Sequence, residues 1–273
     1  MADIPISNLE YIRDLARDHA GLVIDESKDY LVESRLAPLL NREGLGTLSN
    51  LVTVLRMDMS TLLIEKVVEA LVNNESSFFR DFHPFEALRT EIIPKLIESR
   101  RKESRLSIWS AGCAFGQEPY SVIMLIQEHF PELLHWDVSL HAMDISRTAL
   151  ERARKGVFSQ FEMNRGLPIQ YLMKYFDQMD EGWQVKPEIQ GKIEFVRANL
   201  AGDWPVLPPP DLVLLRNVML YMGRETKTQI LEQVRRNLRR DGFLLIGAGE
   251  SLLDVDTDFV RQDFDKTSCY LLP

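Results

Sequence analysis

The sequence predicts an α/β fold built on a largely parallel sheet, with a small all-α segment before it and an insertion within it. Three observations carry this prediction. Residues 1 to about 75 hold four apolar stripes of helical period and no convincing strand. From residue 106 onward, short apolar runs alternate with amphipathic stretches. Residues 156–191 break that alternation: they carry Phe158, Phe161, Tyr171, Tyr175, Phe176 and Trp183 without a strand–helix unit, and are too long for an ordinary connection.

With 273 residues the chain can form one large domain or two modest ones. We expect a helical domain over 1–75 and an α/β domain over 76–273, with the insertion at about 156–191. A content of 45% hydrophobic and 27% charged residues is that of a globular protein. No run approaches the roughly 20 apolar residues that span a bilayer, so no direct membrane insertion is expected. The start, Met-Ala-Asp-Ile-Pro, lacks the basic and apolar parts of a secretion signal. Cys113 and Cys269, far apart in the chain, argue against a disulfide framework and against a structural zinc site. A reducing cytoplasm fits these features. The net charge of −9 opposes nucleic-acid binding, which needs clustered Lys and Arg. The dense basic runs, Arg100-Arg101-Lys102 and Arg235-Arg236 with Arg239-Arg240, fall towards helix ends and read as solvated faces.

In chain order, Ser7 and Glu10 frame a capping box for a helix carrying Leu9, Ile12, Leu15 and Ala16, which Gly21 ends. A second helix covers about 27–41 and stops near Gly44. A third follows Thr47 with Leu48, Leu51, Val52 and Leu55 on one face, and a fourth starts near Ser60 with Leu63, Val67 and Leu71. Their apolar faces suit a small bundle. After an irregular stretch at 73–82, a helix over 84–99 is expected, bent at Pro94. Strands are expected at 106–110, 138–143, 192–197, 212–215 and 243–247, with helices at 118–130, 146–155 and 225–239. Two last strands, about 259–262 and 268–272, add an antiparallel edge.

Ligands of open α/β sheets lie at the carboxyl ends of the strands, so the residues after each strand matter most. The first strand runs into Ser110-Ala-Gly112-Cys-Ala-Phe-Gly116-Gln-Glu118-Pro119. The turn at Gly112 either admits a nucleotide-like ligand close to the backbone or is a plain strand-to-helix turn. It is not a Gly-x-Gly-x-x-Gly fingerprint, so phosphate binding is not indicated. Asp144, at the end of the second strand, can accept hydrogen bonds from both hydroxyls of a ribose, or can cap the following helix. Asn199 follows the third strand, and Arg216-Asn217 the fourth. Convergence of these turns without a phosphate loop favours an adenosine ligand lacking phosphates, S-adenosylmethionine.

These residues sit in longer stretches that together resemble the CheR-type chemoreceptor methyltransferases over essentially the full length. The stretches are Asn74-Glu-Ser-Ser-Phe78-Phe79-Arg80, Trp109-Ser-Ala-Gly112, Gly116-Gln-Glu118-Pro119-Tyr120-Ser121, Ala142-Met-Asp144, Asn199-Leu200 and Arg216-Asn217-Val-Met-Leu-Tyr221. The resemblance implies a Rossmann-like seven-stranded class I methyltransferase domain, a small β-subdomain inserted in it and a small all-α domain before it. It implies a cofactor pocket of Asn74, Ser76, Arg80, Glu118, Asp144, Asn199, Leu200, Arg216 and Asn217, with Gly112 in its turn. Arg80 and Tyr221 would border the reacting groups. Ser76 stands where the family commonly has threonine, and its hydroxyl can make the same hydrogen bond. Cys113 departs from the small non-thiol residues usual there and reads as a packed side chain. Gly247-Ala-Gly-Glu250-Ser251 lacks the histidine often seen at this point, and no role is assigned to it.

The implied reaction is methyl transfer from S-adenosylmethionine to glutamate carboxylates on the cytoplasmic helices of chemoreceptors, leaving S-adenosylhomocysteine. The helical domain would read the receptor through basic side chains, with Lys28, Arg35, Arg42 and Arg56 as candidates. Some members also hold a receptor tail peptide through a longer, glycine-containing insert loop. Here that loop, Phe176-Asp-Gln-Met-Asp-Glu-Gly182-Trp183, is shortened, which points to tail-independent action. Two rivals remain: a methyltransferase for another substrate, and a non-enzymatic module that binds the same cofactor. The Asn/Asp-Pro-Pro-Tyr/Phe run of amino-directed nucleic-acid enzymes is absent after the fourth strand.

Overall fold

A computed structural model describes residues 7–57, 60–252, 255, 258–264 and 267–272. Two compact units result. One takes in the chain up to Asn73 together with Tyr221–Lys227, and the other Asn74–Leu220 with the chain from Thr228.

The first unit is helical: α1 (Asn8–Ala20), α2 (Asp29–Arg42), α3 (Leu48–Met57) and α4 (Thr61–Leu71). Ser7 caps α1 by accepting from the Glu10 N–H at 3.1 Å. Gly21 ends it in the left-handed region at φ 67°, where a side chain would also collide with Thr226. The inner face of α4 is Ile64, Val67, Val68 and Leu71, and Leu63, at the side of that stripe, is only half-buried. Residues 221–227 join this unit through backbone pairing: Leu22 bridges Met222, and Val23 N–H donates to Tyr221 O at 2.8 Å. No periodicity foretold that return.

The second unit begins with an irregular segment and one helical stretch. That stretch is α5 (His83–Ala87), a π turn over Leu88–Ile92, and α6 (Ile93–Arg100). A π turn stands just before Pro94, where the helix was expected to bend, and accommodates the N–H that proline lacks. The chain continues through β1 (Arg105–Ala111), α7 (Gln117–His129), β2 (Asp137–Asp144) and α8 (Arg147–Lys155). The insertion follows: β3 (Val157–Phe158), α9 (Gln160–Met163), α10 (Ile169–Tyr175), β4 (Phe176–Met179), β5 (Gly182–Val185) and α11 (Pro187–Gln190). Then come β6 (Ile193–Arg197), β7 (Leu212–Leu215), α12 (Arg224–Asn237), β8 (Phe243–Ile246), β9 (Val260–Phe264) and β10 (Thr267–Leu271).

Seven strands form one sheet in the order β6-β2-β1-β7-β8-β10-β9. The first five in that order are parallel, and β10 runs antiparallel to both β8 and β9. The continuous apolar runs of β7 and β8 are buried at every position, as parallel strands covered on both faces require. The insertion is a separate antiparallel sheet, β3-β5-β4. It packs through aromatic edges: Phe78 lies 4.9 Å from Phe158 and 5.6 Å from Phe176, centroid to centroid. Among the described residues no helix is long and apolar enough to cross a membrane.

Arg100, expected on a solvated face, is only 3% exposed. Its Nε donates to Asp211 at 2.5 Å, and its two Nη atoms to Asp241 at 2.6 and 2.5 Å. Asp211 also accepts from the Ser107 N–H at 2.8 Å, so one ion pair ties α6 to the amino ends of β1 and β7. Its acceptors come from distant sequence, which is why the basic run misread. The hydrogen bonds from Arg100 hold Asp241 below the usual carboxylate range. That contribution is therefore complete at neutral pH and is lost as pH falls through the depressed value. Replacing Arg100 with Leu leaves buried Asp211 with only the longer contact to Arg239 Nε, at 3.6 Å. We expect a loss of roughly 3–5 kcal/mol, read as a lower urea midpoint at unchanged slope.

Candidate functional site

Strand register aligns the site. Ala111 of β1 lies beside Met143 of β2, Asp144 beside Arg197 of β6, and Ser110 of β1 beside Leu214 of β7. The turns leaving β1, β2, β6 and β7 therefore open on one edge of the sheet. They carry Gly112, Asp144, Asn199 and Arg216-Asn217.

The turn after β1 is clamped to β2. The Gly112 and Cys113 N–H groups both donate to Met143 O, at 2.8 and 2.9 Å. Gly112 has φ 80°, and a Cβ there would collide with Val218. Asp144, 6% exposed, accepts from Ala114 N–H at 2.8 Å and from Ser146 N–H at 2.9 Å. The cap of α8 is Ser146, whose Oγ accepts from Ala149 N–H at 3.1 Å, so Asp144 is not that cap. Cys113 is 1% exposed, and burial beside Asp144 and Glu118 pushes its thiol well above the ordinary value. That suits a packing residue and not a nucleophile.

The turn after β7 carries a buried cation. Arg216 Nη1 donates to Glu118 Oε2 at 2.9 Å, and Nη2 to Arg80 O at 2.7 Å and Asp81 Oδ2 at 3.0 Å. Glu118 Oε1 accepts from Ser110 Oγ at 2.8 Å. The guanidinium also lies 5.5 Å from the Phe85 ring centroid. Arg216 Nε is buried without a partner among the described residues. Arg80, Glu118 and Arg216 are thus joined in one hydrogen-bonded chain. The Arg80 guanidinium turns towards its own loop and donates to Glu75 O at 3.0 Å.

The other expected residues are placed as follows. Asn74 and Ser76 are half-buried in the segment leading to Arg80. Asn199 Oδ1 accepts from Ala201 N–H at 3.1 Å, and buried Leu200 accepts at its carbonyl from Trp204 Nε1 at 3.0 Å. Asn217 has φ 59° and donates its N–H to Glu250 Oε2 at 2.8 Å. Tyr221 belongs to the helical unit, where its hydroxyl accepts from Asn73 Nδ2 at 2.9 Å.

Strain marks the same loops. Six described non-glycine residues have positive φ, and five of them, Phe79, Asp81, Phe82, Ala114 and Asn217, lie in the turns just described. Sequence reasoning passed over Asp81, Ser110 and Glu250. Asp81 and Ser110 stand inside or next to the quoted stretches and could have been weighed. Glu250 gave no signal.

Comparison with known proteins agrees with this architecture. Residues 74–267 match the SAM binding domain of the CheR methyltransferases, and residues 7–74 match their all-alpha domain. Chemotaxis protein methyltransferase 1 of Pseudomonas aeruginosa is 38% identical over 251 residues, covering 90% of each chain. Chemotaxis protein methyltransferase Cher2 of Pseudomonas putida is 36% identical over 249 residues, also covering 90% of each. The chemotaxis protein methyltransferase of Vibrio parahaemolyticus is 35% identical over 266 residues, covering 95% of each. With both domains matched and these relatives spanning nearly its whole length, the chain belongs to the CheR family of S-adenosylmethionine-dependent chemotaxis methyltransferases.

Proposed function

We propose that the protein methylates glutamate side chains on the cytoplasmic helices of chemoreceptors, acting in the cytoplasm, and that the sheet edge around Arg216 holds the methyl donor. The observation that carries this is the chain Arg80–Arg216–Glu118, with its unpartnered buried Nε. S-adenosylmethionine has an amino-acid end, a ribose diol and an adenine, and the residues present suit each part. Arg216 Nε and Arg80 suit the carboxylate, Glu118 the ammonium, and the Asp144 carboxylate the diol. Asn199 and Leu200 suit the adenine, while Asn74, Ser76 and Asn217 complete the pocket. Gly112 allows close approach to its turn.

When bound, the donor supplies an electrophilic sulfonium methyl group. The acceptor needs no activation, since a glutamate carboxylate with pKa of about 4.3 is ionised at neutral pH. No general base is required of the chain, and its residues act by positioning. Arg80 is assigned to the acceptor or donor carboxylate. Tyr221 is assigned to the acceptor's side of the reaction on the family motif.

The helical unit supports a receptor partner. Lys28 and Arg35 line one crevice with Leu22, Val23, Leu31 and Tyr221, which suits an acidic amphipathic helix. Arg35 also donates to Leu71 O at 2.6 Å, and Arg56 lies over the Tyr11 ring at 4.9 Å. In the insertion Met179 pairs directly with Gly182, so Asp180 and Glu181 alone form the turn. That short hairpin supports tail-independent action.

Labelled donor incubated with receptor cytoplasmic fragments is expected to give methyl groups released by mild alkali, because esters hydrolyse and N-methyl groups do not. Alkali-stable label would reject the glutamate acceptor. The Arg80→Ala variant is expected to stay folded and to lose transfer on the order of 100-fold. Turnover close to the parent's would remove Arg80 from the mechanism. A receptor tail peptide should give no heat in calorimetry, and micromolar binding would overturn tail independence.

A further inference from the structure

We infer that Glu250 is a positioning residue for the cofactor edge, acting through Asn217. This rests on the proposed site and deepens it. The sequence assigned Gly247-Ala-Gly-Glu250-Ser251 no role, yet in the fold this turn leaves β8 beside the turn that leaves β7, because Leu215 pairs with Ile246. One carboxylate oxygen ties both exits: Glu250 Oε2 accepts from Asn217 N–H at 2.8 Å and from Gly247 N–H at 2.7 Å. The turn is closed on itself by Glu250 N–H donating to Gly247 O at 2.9 Å.

The geometry leaves little room for substitutes. A Cβ on Gly247 would lie 2.7 Å from Glu250 Oε2 and 2.8 Å from both nitrogens of Asn217. Asn217 itself is held at φ 59°, a conformation that costs free energy unless its surroundings enforce it. A charge-assisted acceptor on its N–H is such an enforcement. The chain direction at Asn217 sets two neighbours. Arg216 before it reaches Glu118, Arg80 O and Asp81, and Val218 after it fills the space over Gly112. Releasing Asn217 to an ordinary right-handed conformation would misdirect both. Among the described residues Glu250 reaches the residues assigned to the donor through this backbone bond, so it acts at one remove.

The test uses the full chain, with S-adenosylhomocysteine binding by calorimetry and amide exchange by NMR. In the parent, the Asn217 and Gly247 amides are expected to be protected, although they lie in turns. Exchange as fast as in an exposed turn would refute the carboxylate clamp, whatever any variant does. Glu250→Ala should melt cooperatively, lose that protection and bind the product at least about 10-fold more weakly. Glu250→Gln keeps an oxygen for both N–H groups and should stay within about threefold of the parent. Unchanged affinity in a folded Glu250→Ala variant, or equal losses in both variants, would overturn the positioning role. Neither readout involves a receptor, so a wrong acceptor assignment would leave this result intact.

Discussion

The buried guanidinium of Arg216 is the constraint on which the site depends. A cation with 2% of its side chain exposed is tolerated only where hydrogen bonds replace its water. Its partners come from two other segments, Glu118 at the start of α7 and the Arg80-Asp81 loop before α5. One charge therefore fixes where three pieces of chain meet, and removing a partner would leave part of the guanidinium's hydrogen-bonding capacity unmet in a low-dielectric setting.

Strain and support are distributed around that hub. The loop from Phe79 to Phe82 holds three residues at positive φ, so it needs anchors on both sides. Ser121 supplies one, accepting from Phe79 N–H at 3.0 Å while donating to Gln117 O at 2.7 Å. The insertion supplies another. Phe78 is buried against Phe158 and Phe176, a Cβ on Gly166 would collide with Phe78 O, and Arg165 pairs with Glu75 at 2.9 Å. The insertion thus buttresses the segment that carries Asn74, Ser76 and Arg80, in addition to any role in recognition.

Much of the fold was legible because its signals are local. Alternating apolar runs and amphipathic stretches marked the parallel strands and their helices, and the aromatic stretch at 156–191 marked itself by fitting neither period. Gly112, Asp144, Asn199 and Arg216 were legible as strand-end residues, since parallel register puts all strand ends on one edge. The misreadings share a cause. Leu63 and Arg100 are read from their neighbours in sequence, whereas burial and ion pairing are settled by residues elsewhere in the chain. Glu250 stood in a glycine-bearing turn of ordinary appearance, and its meaning lies wholly in the N–H groups it meets.

The sequence by itself determined the α/β class, the helical segment before it and which residues stand at the strand ends, because periodicity and motif are properties of short stretches. Only the tertiary structure decided which of those groups bond to one another, that residues 221–227 return to the helical unit, and that Asn217 is clamped by Glu250. Hydrogen bonds between segments dozens to more than a hundred residues apart have no local signature: they exist only once the sheet has set its register.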